Sequence, residues 1–489
     1  MDDEPAPKLT LRRIAVAFVP LLSLIGMIVV GVTVFGRDVG DGPSQVSLIF
    51  ATALAALLAS TVGGVPWSAL EQGITSSIAK AGVSIMILLM IGMLSGAWMI
   101  GGVVPTLICY GVKIMNPHLF LACACVVSGV VSLMTGTSWT TVATIGVALL
   151  GIGTALGVPA PWSAGAIISG AYFGDKLSPL SDTTILASSA TGTDLFVHIR
   201  YMLFTTIPSM TLALAIFLVA GFFLVDVSAV DVQGFSDGLS RAFHITPWVL
   251  LVPLFTGVLI ALRLPSLAVL FFSALMGGVS AVVLQGDVLL SVVGEEMPSV
   301  MGYYKALMTT FFASTHVATG GEVLDRLVST RGMSGMLTTV WLILCAVSFG
   351  GVMYAGGMLR TIADVALSSV RGLAGLVGAT AVTGAIMNVA TGDQYISILI
   401  TADMFRDAYR RRGEESRLLS RTIEDSSTVT SVLVPWNTCA MAQSASLGIA
   451  TVVYLPFCFF NLISPFMSVV VAAIMGKARA RNDMPTSHC

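Results

Sequence analysis

The chain of 489 residues is 56% hydrophobic and only 10% charged, with a formal net charge of −2. Soluble domains carry about 25% charged residues, so a chain this long and this apolar cannot cover two or three soluble domains with polar surface. The mean hydropathy of +0.92 agrees: a secreted protein, a nucleic-acid binder and a cytosolic enzyme are excluded, and a polytopic membrane protein remains.

Arg12 and Arg13 precede an apolar run from Ile14 to Phe35. That run is longer than the roughly 7–15 apolar residues of a signal peptide. Gly36-Arg37-Asp38 after it offers no small-residue cleavage site, so a first transmembrane helix is predicted. Further apolar stretches that span, or nearly so, follow at 45–63, 83–102, 119–135, 140–158, 200–225, 247–262, 266–284, 336–359, 373–390, 428–447 and 450–475. Shorter pieces at 163–173 and 306–319 read as half-helices or re-entrant segments. The expected fold is all-α, with about 10–14 transmembrane helices by the twenty-residue rule.

Orientation follows from Lys and Arg. Lys8, Arg12 and Arg13 place the N-terminus in the cytoplasm, and Lys477, Arg479 and Arg481 place the C-terminus there too. The strongest basic loop, 406–421, holds Arg406, Arg410, Arg411, Arg412, Arg417 and Arg421, and is expected on the same side. The seven cysteines, Cys489 among them, show no metal spacing and read as small apolar side chains.

Sliding the halves past one another pairs Gly101 with Gly357, Gly136 with Gly392 and Pro179 with Pro435 at a constant offset of 256 (357 − 101). Trp98 and Tyr354 follow suit, as do Trp139 and Tyr395. The counterpart of the arginine-rich loop, around 151–162, holds no Lys or Arg. Equivalent loops therefore face opposite sides, which makes inverted-topology repeats with broken helices. The chain divides into a cytoplasmic tail with two helices (1–75), a first repeat (76–230), connecting helices (231–331), a second repeat (332–476) and a cytoplasmic tail (477–489).

Polar residues gather where apolar segments break. Gly174-Asp175-Lys176-Leu177-Ser178-Pro179-Leu180-Ser181-Asp182-Thr183-Thr184 combines carboxylates, hydroxyls and a helix-breaking proline, the hard oxygen donors that alkali cations prefer. The competing account makes Ser181 or Asp182 a helix cap, with Asp175 paired to Lys176 at a surface. Gly136-Thr137-Ser138-Trp139-Thr140-Thr141 is a second break, and its repeat partner runs from Asn388 to Gln394 with Asp393 inside it. Matching polar breaks in two halves point to a midplane site. A third group, Glu424-Asp425-Ser426-Ser427-Thr428 and Pro435-Trp436-Asn437-Thr438, reads equally well as solvated residues after the arginine run, Asn437 excepted. His316 and Glu322 flank Gly320-Gly321 without a third ligand and read as a polar loop; His198 and Arg200 read as a membrane boundary. No Walker A pattern is present, which disfavours ATP-driven transport.

At these motifs the sequence resembles the NhaC family of sodium/proton antiporters. The resemblance rests on Gly136-Thr137-Ser138-Trp139, Phe173-Gly174-Asp175-Lys176, Ser178-Pro179-Leu180-Ser181-Asp182-Thr183-Thr184, Thr193-Asp194-Leu195-Phe196 and His198-Ile199-Arg200. In the second half it rests on Gly392-Asp393-Gln394-Tyr395, Glu424-Asp425-Ser426 and Val434-Pro435-Trp436-Asn437-Thr438-Cys439. Two positions depart from the family pattern: Ile185, where Asn is usual, and Tyr354, where an acid is usual. The resemblance implies an inner-membrane cation/proton antiporter with inverted repeats; relatives include malate/lactate exchangers.

The residues expected to carry the chemistry are Asp175 and Asp182, with Asp393 across the pseudo-symmetry axis. Thr137, Ser138, Ser178 and Asn437 are the neutral oxygen ligands of a transported cation. No cofactor is expected beyond the transported Na+ and H+. The expected partners are membrane lipid, a small cation, a small organic substrate in the alternative reading, and a second copy in a homodimer. That alternative is a sodium- or proton-coupled transporter of an organic anion or amino acid on the same scaffold.

Overall fold

The computed structural model describes residues 9–224, 232–295, 298–368 and 370–482. Lys8, Cys489 and the side chains of Arg479 and Arg481 lie outside the described residues. Among those described, ten helices are long and apolar enough to cross a membrane, or up to 12 if each of two bent pairs is one span. The fold is all-α as expected; an isolated antiparallel bridge, Thr315 to Thr330, is the exception among the described residues.

Helices α1 (Leu11–Phe35) and α2 (Pro43–Thr61) form a hairpin. It leads into α3 (Trp67–Ile100), about 50 Å long at 1.5 Å per residue and longer than the bilayer core. The sequence places this span at 83–102, because Glu71, Gln72 and Lys80 interrupt the hydropathy of its first half. The helical geometry runs straight through them. Then come α4 (Val103–Ile114), α5 (Phe120–Thr135), α6 (Ser138–Ala155), α7 (Ala160–Leu177), α8 (Asp182–Thr191) and α9 (Leu195–Leu224). The apolar piece at 163–173 is thus the middle of a full helix.

The connecting segment holds α10 (Val232–Ala242), α11 (Pro247–Ala261), α12 (Ser266–Leu284), α13 (Gly286–Ser291), α14 (Val300–Phe312) and α15 (Glu322–Val328). Helix α12 packs on α3, and the Trp98 indole N–H donates to Ser273 Oγ across that contact at 3.0 Å. The second half comprises α16 (Leu337–Ala355), α17 (Met358–Ser368), α18 (Gly372–Thr391), α19 (Gln394–Arg411), α20 (Ser416–Ile423), α21 (Thr438–Leu447), α22 (Thr451–Tyr454) and α23 (Phe459–Asn482). Helix α20 runs on through a π turn, Glu424–Thr428, to a 3-10 turn, Ser431–Leu433.

The duplication is written into the element boundaries. Helices α6, α7 and α8 recur as α19, the segment from Ser416 to Leu433, and α21. Every boundary is displaced by 256: 394 − 138 and 411 − 155, 416 − 160 and 433 − 177, 438 − 182 and 447 − 191. The turn before each set is made by a left-handed glycine, Gly136 at φ +69 and Gly392 at φ +65. A Cβ there would also lie 2.7 Å from Leu180 Cβ or 2.8 Å from Ala346 Cβ, so each turn requires glycine twice over. The apolar stretch at 428–447, expected as one span, is therefore two elements parted at Val434–Asn437.

Small residues let these elements approach closely. A Cβ on Gly170 or Gly174 of α7 would collide with the carbonyls of Cys125 or Gly129 on α5, and Ser132 Oγ donates to the Ala171 carbonyl at 2.6 Å. The polarity pattern is that of a chain solvated by lipid. Phe204, Phe223 and Phe466 on long apolar helices are 63%, 86% and 73% exposed, while Asp175, Lys176, Glu424 and Asp425 are buried. Arg421, read from sequence as part of a basic loop, is also wholly buried, because it lies inside α20 rather than in the turn before it.

The inversion expected from the Lys and Arg distribution predicts that the turn after α6 and the end of α19 open to opposite sides of the membrane. Cysteines introduced at the exposed Pro159 and Arg411 are expected to react with an impermeant thiol reagent from opposite faces; reaction of both from one face refutes the inversion.

Candidate cation site at the paired helix breaks

A helix that starts inside a membrane protein leaves its first N–H groups without intrahelical partners. Helix α6 starts at Ser138, and Thr137 before it supplies no side-chain cap. The cap comes from α7 instead: Asp175 Oδ2 accepts from the Ser138 N–H at 2.9 Å and from the Ser138 hydroxyl at 2.7 Å. At the start of α8, Ser181 Oγ accepts from the Thr184 N–H at 3.5 Å. Around these ends opens a cavity of about 320 Å³, lined among others by Lys80, Thr137, Asp175, Asp182, Gln394 and Tyr395. It holds two carboxylates and one amine, with oxygens from both halves of the chain.

The second half solves the same problem with its own residues. Asp393 is the N-cap of α19: Oδ1 accepts from the Ile396 N–H at 3.0 Å, and Oδ2 accepts from the Thr438 hydroxyl at 3.2 Å. Asn437 caps α21 through Cys439 N–H at 3.1 Å and donates to the Asn388 carbonyl at 3.3 Å. Ser178 Oγ accepts from the Leu180 N–H at 3.3 Å.

Of the seven residues singled out from sequence, Thr137, Asp175 and Asp182 line the cavity, and Ser138 holds Asp175 from behind. Ser178, Asp393 and Asn437 are buried in helix-end hydrogen bonds and do not line it, although Gln394 and Tyr395, next to Asp393, do. The two departures from the family pattern, Ile185 and Tyr354, are exposed and outside the lining.

Sequence reasoning missed a second polar group behind the first. Lys176 does not pair with Asp175 at a surface; it is buried and forms an ion pair with Asp425 Oδ1, 249 residues away. The Thr205 and Ser464 hydroxyls donate to the same oxygen at 3.1 and 3.4 Å. Arg421 Nε stands 3.7 Å from Asp425 Oδ2, with its guanidinium 4.9 Å from the centre of the Tyr201 ring. His198, expected at a membrane boundary, is buried and hydrogen-bonded to Ser420 Oγ at 2.6 Å. Lys80 was missed because the predicted span began after it. The signal for Asp425 was its place in an otherwise apolar region, obscured by the arginines just before it.

A sequence model of the Na+/H+ antiporter family matches residues 170–477. The Na(+)/H(+) antiporter NhaC of Alkalihalophilus pseudofirmus is 36% identical over 407 residues, covering 83% of this chain and 85% of the relative. This chain belongs to the Na+/H+ antiporter family. Within reach of this antiporter are proteins with other names. The malate-2H(+)/Na(+)-lactate antiporter of Bacillus subtilis is 34% identical over 88% of this chain and 89% of its own length. The arginine/ornithine antiporter ArcD of Halobacterium salinarum is 34% identical over 93% and 90%.

Two stability experiments separate the roles of the buried acids in the antiporter. Asp393→Asn is expected to leave thermal stability in detergent nearly unchanged, because Asn and Asp cap equally well, whereas Asp393→Ala costs about 1 kcal/mol. Asp425→Asn leaves Lys176 buried without its counter-charge and is expected to cost about 3–5 kcal/mol, most of it recovered in the double variant Lys176→Met/Asp425→Leu. A single variant as stable as the parent would show that the pair is not buried in the working protein.

Proposed function

We propose that this protein is a secondary active transporter that exchanges sodium, or another alkali cation, for protons across the cell's inner membrane, with both termini cytoplasmic and no resident cofactor. Family membership supports the reaction class. The observation that carries the site is Asp175, a buried carboxylate at a helix break that lines a cavity built from both halves. Carboxylate and hydroxyl oxygens suit a hard cation, and a carboxylate in such surroundings is one that protons and cations compete for. Competition gives exchange without ATP: the cation binds on one side, the halves switch, and protons displace it on the other. Asp175 and Asp182 are the shared groups in this reading, and Thr137 an additional oxygen. Asp393 and Asn437 act through the backbone by fixing the ends of α19 and α21.

Lys80 favours a second reading. An amine in the cavity wall would pair with the carboxylate of an organic substrate, as a malate/lactate or amino-acid exchanger requires. Addition of alkali cations alone to purified protein distinguishes the two: it releases protons in a cation/proton antiporter and does not where an organic substrate is needed.

Asp175→Asn and Asp182→Asn are each expected to abolish or strongly impair sodium-driven proton movement in proteoliposomes while thermal stability is retained. Asn keeps an acceptor for the Ser138 N–H and removes the charge that protons and cations share. Parental exchange rates in both variants would assign these acids to capping and move the exchange site elsewhere.

A further inference from the structure

Glu424 opens the π turn at the end of α20, and single π turns inside helices recur at functional sites. Its side chain is fully buried, and among the described residues neither carboxylate oxygen has a partner in hydrogen-bonding geometry; the Thr428 hydroxyl, one turn on and likewise unpartnered, is the neutral donor beside it. Asp425 beside it takes the Lys176 amine and two hydroxyls. An ionised carboxylate buried with no more than a neutral donor is strongly disfavoured, whereas the neutral acid tolerates the same place.

The charges around it make ionisation attainable. Lys176, Asp175 and Asp425 act on Glu424 electrostatically. With a cation neutralising Asp175, the buried Lys176 and Arg421 are two cations against the one anion Asp425, so an ionised Glu424 then balances the group. The π turn also packs on α8, α18, α19, α20 and α23. Helix α18 carries no ionisable side chain, Asp182 of α8 is exposed, as are Asp403, Arg406, Asp407, Arg410 and Arg411 of α19, and the charges of α23 begin only at Lys477. Tyr409 of α19 is buried with its hydroxyl 3.1 Å from that of Thr380, and Arg417 of α20 pairs with Glu415. His198 is engaged by Ser420.

We propose that Glu424 is a second proton-binding site, protonated in this conformation and deprotonated when a cation occupies the cavity at Asp175. The coupling is electrostatic. Asp175 and Lys176 are adjacent on α7, the first at the cavity and the second on Asp425. A cation at Asp175 cancels the negative charge that opposes ionisation of Glu424, and the proton leaves to solvent. By linkage, a proton on Glu424 weakens cation binding by the same factor. This deepens the cation/proton reading of the cavity and rests on it.

The test uses the full-length protein in detergent, with sodium chloride as probe and choline chloride as control. Infrared spectra of the parent at neutral pH are expected to show the carbonyl band of a protonated carboxylic acid, lost in Glu424→Gln and diminished by sodium in the parent. Sodium-triggered proton release is expected to fall in the variant. Its sodium affinity, fixed at the protonated-like level, is expected to be about 5–150-fold weaker than that of the parent at high pH, the usual range of a coupling between sites. Glu424→Met serves as a second uncharged variant with the same readouts. A parent spectrum without that band, or proton release and sodium affinity unchanged in both variants, overturns the proposal. A parent that shows the Glu424 band but releases no protons with sodium refutes the antiport reading of the cavity and, with it, the coupling, while locating the proton.

Discussion

Every helix end inside this protein has to find hydrogen-bond partners from the protein itself, because lipid offers none. The chain meets that demand at four interior starts with side-chain oxygens: Asp175 for Ser138, Ser181 for Thr184, Asp393 for Ile396 and Asn437 for Cys439. The concentration of Asp, Ser, Thr and Asn in a chain otherwise built for lipid follows from this need. The cavity lies where the starts of α6, α8 and α19 come near one another.

The two halves meet the demand differently, and the difference separates structure from chemistry. In the second half, Asp393 caps its own helix and is closed off by Thr438. In the first, the equivalent position is Thr137, and the cap is reached across from α7. A carboxylate that arrives from a neighbouring helix can remain at a cavity wall while it holds a backbone amide, as Asp175 does. Its charge is then tied to the relative position of α6 and α7, which gives a binding event at the carboxylate a mechanical consequence for both helices.

Most of the architecture could be read from hydropathy, because lipid-facing helices must be continuously apolar. The helix ends at Gly136 and Gly392 were visible for the same reason: only polar and conformationally permissive residues interrupt such runs. What escaped were features that hydropathy averages away. Lys80 and Glu71 sit in a helix whose polar first half resembles a loop by composition. Glu424 and Asp425 follow a run of arginines, most of them exposed though Arg421 is buried, and that run obscures the signal of acids beside an apolar stretch. The pairing of Lys176 with Asp425 across 249 residues is a tertiary fact that sequence pattern alone does not encode. For Asp175, the alternative posed from sequence was a surface pair with Lys176; the geometry gives the residue instead a capping bond to Ser138 and a place on the cavity.

The constant spacing of the repeat boundaries constrains how this protein can change. An α-helix turns about 100° per residue, so deleting one residue from α7 before Asp175 swings that carboxylate away from the Ser138 amide. The same deletion carries Lys176 off Asp425. Both bonds fail together, since the two side chains leave adjacent positions on one rod. Substitution can alter one without the other; a change of length cannot. The segment from Ser138 to Thr191 and its counterpart from Gln394 to Leu447 have kept equal lengths element by element, which leaves the loops outside them as the places where tags and insertions can be accommodated.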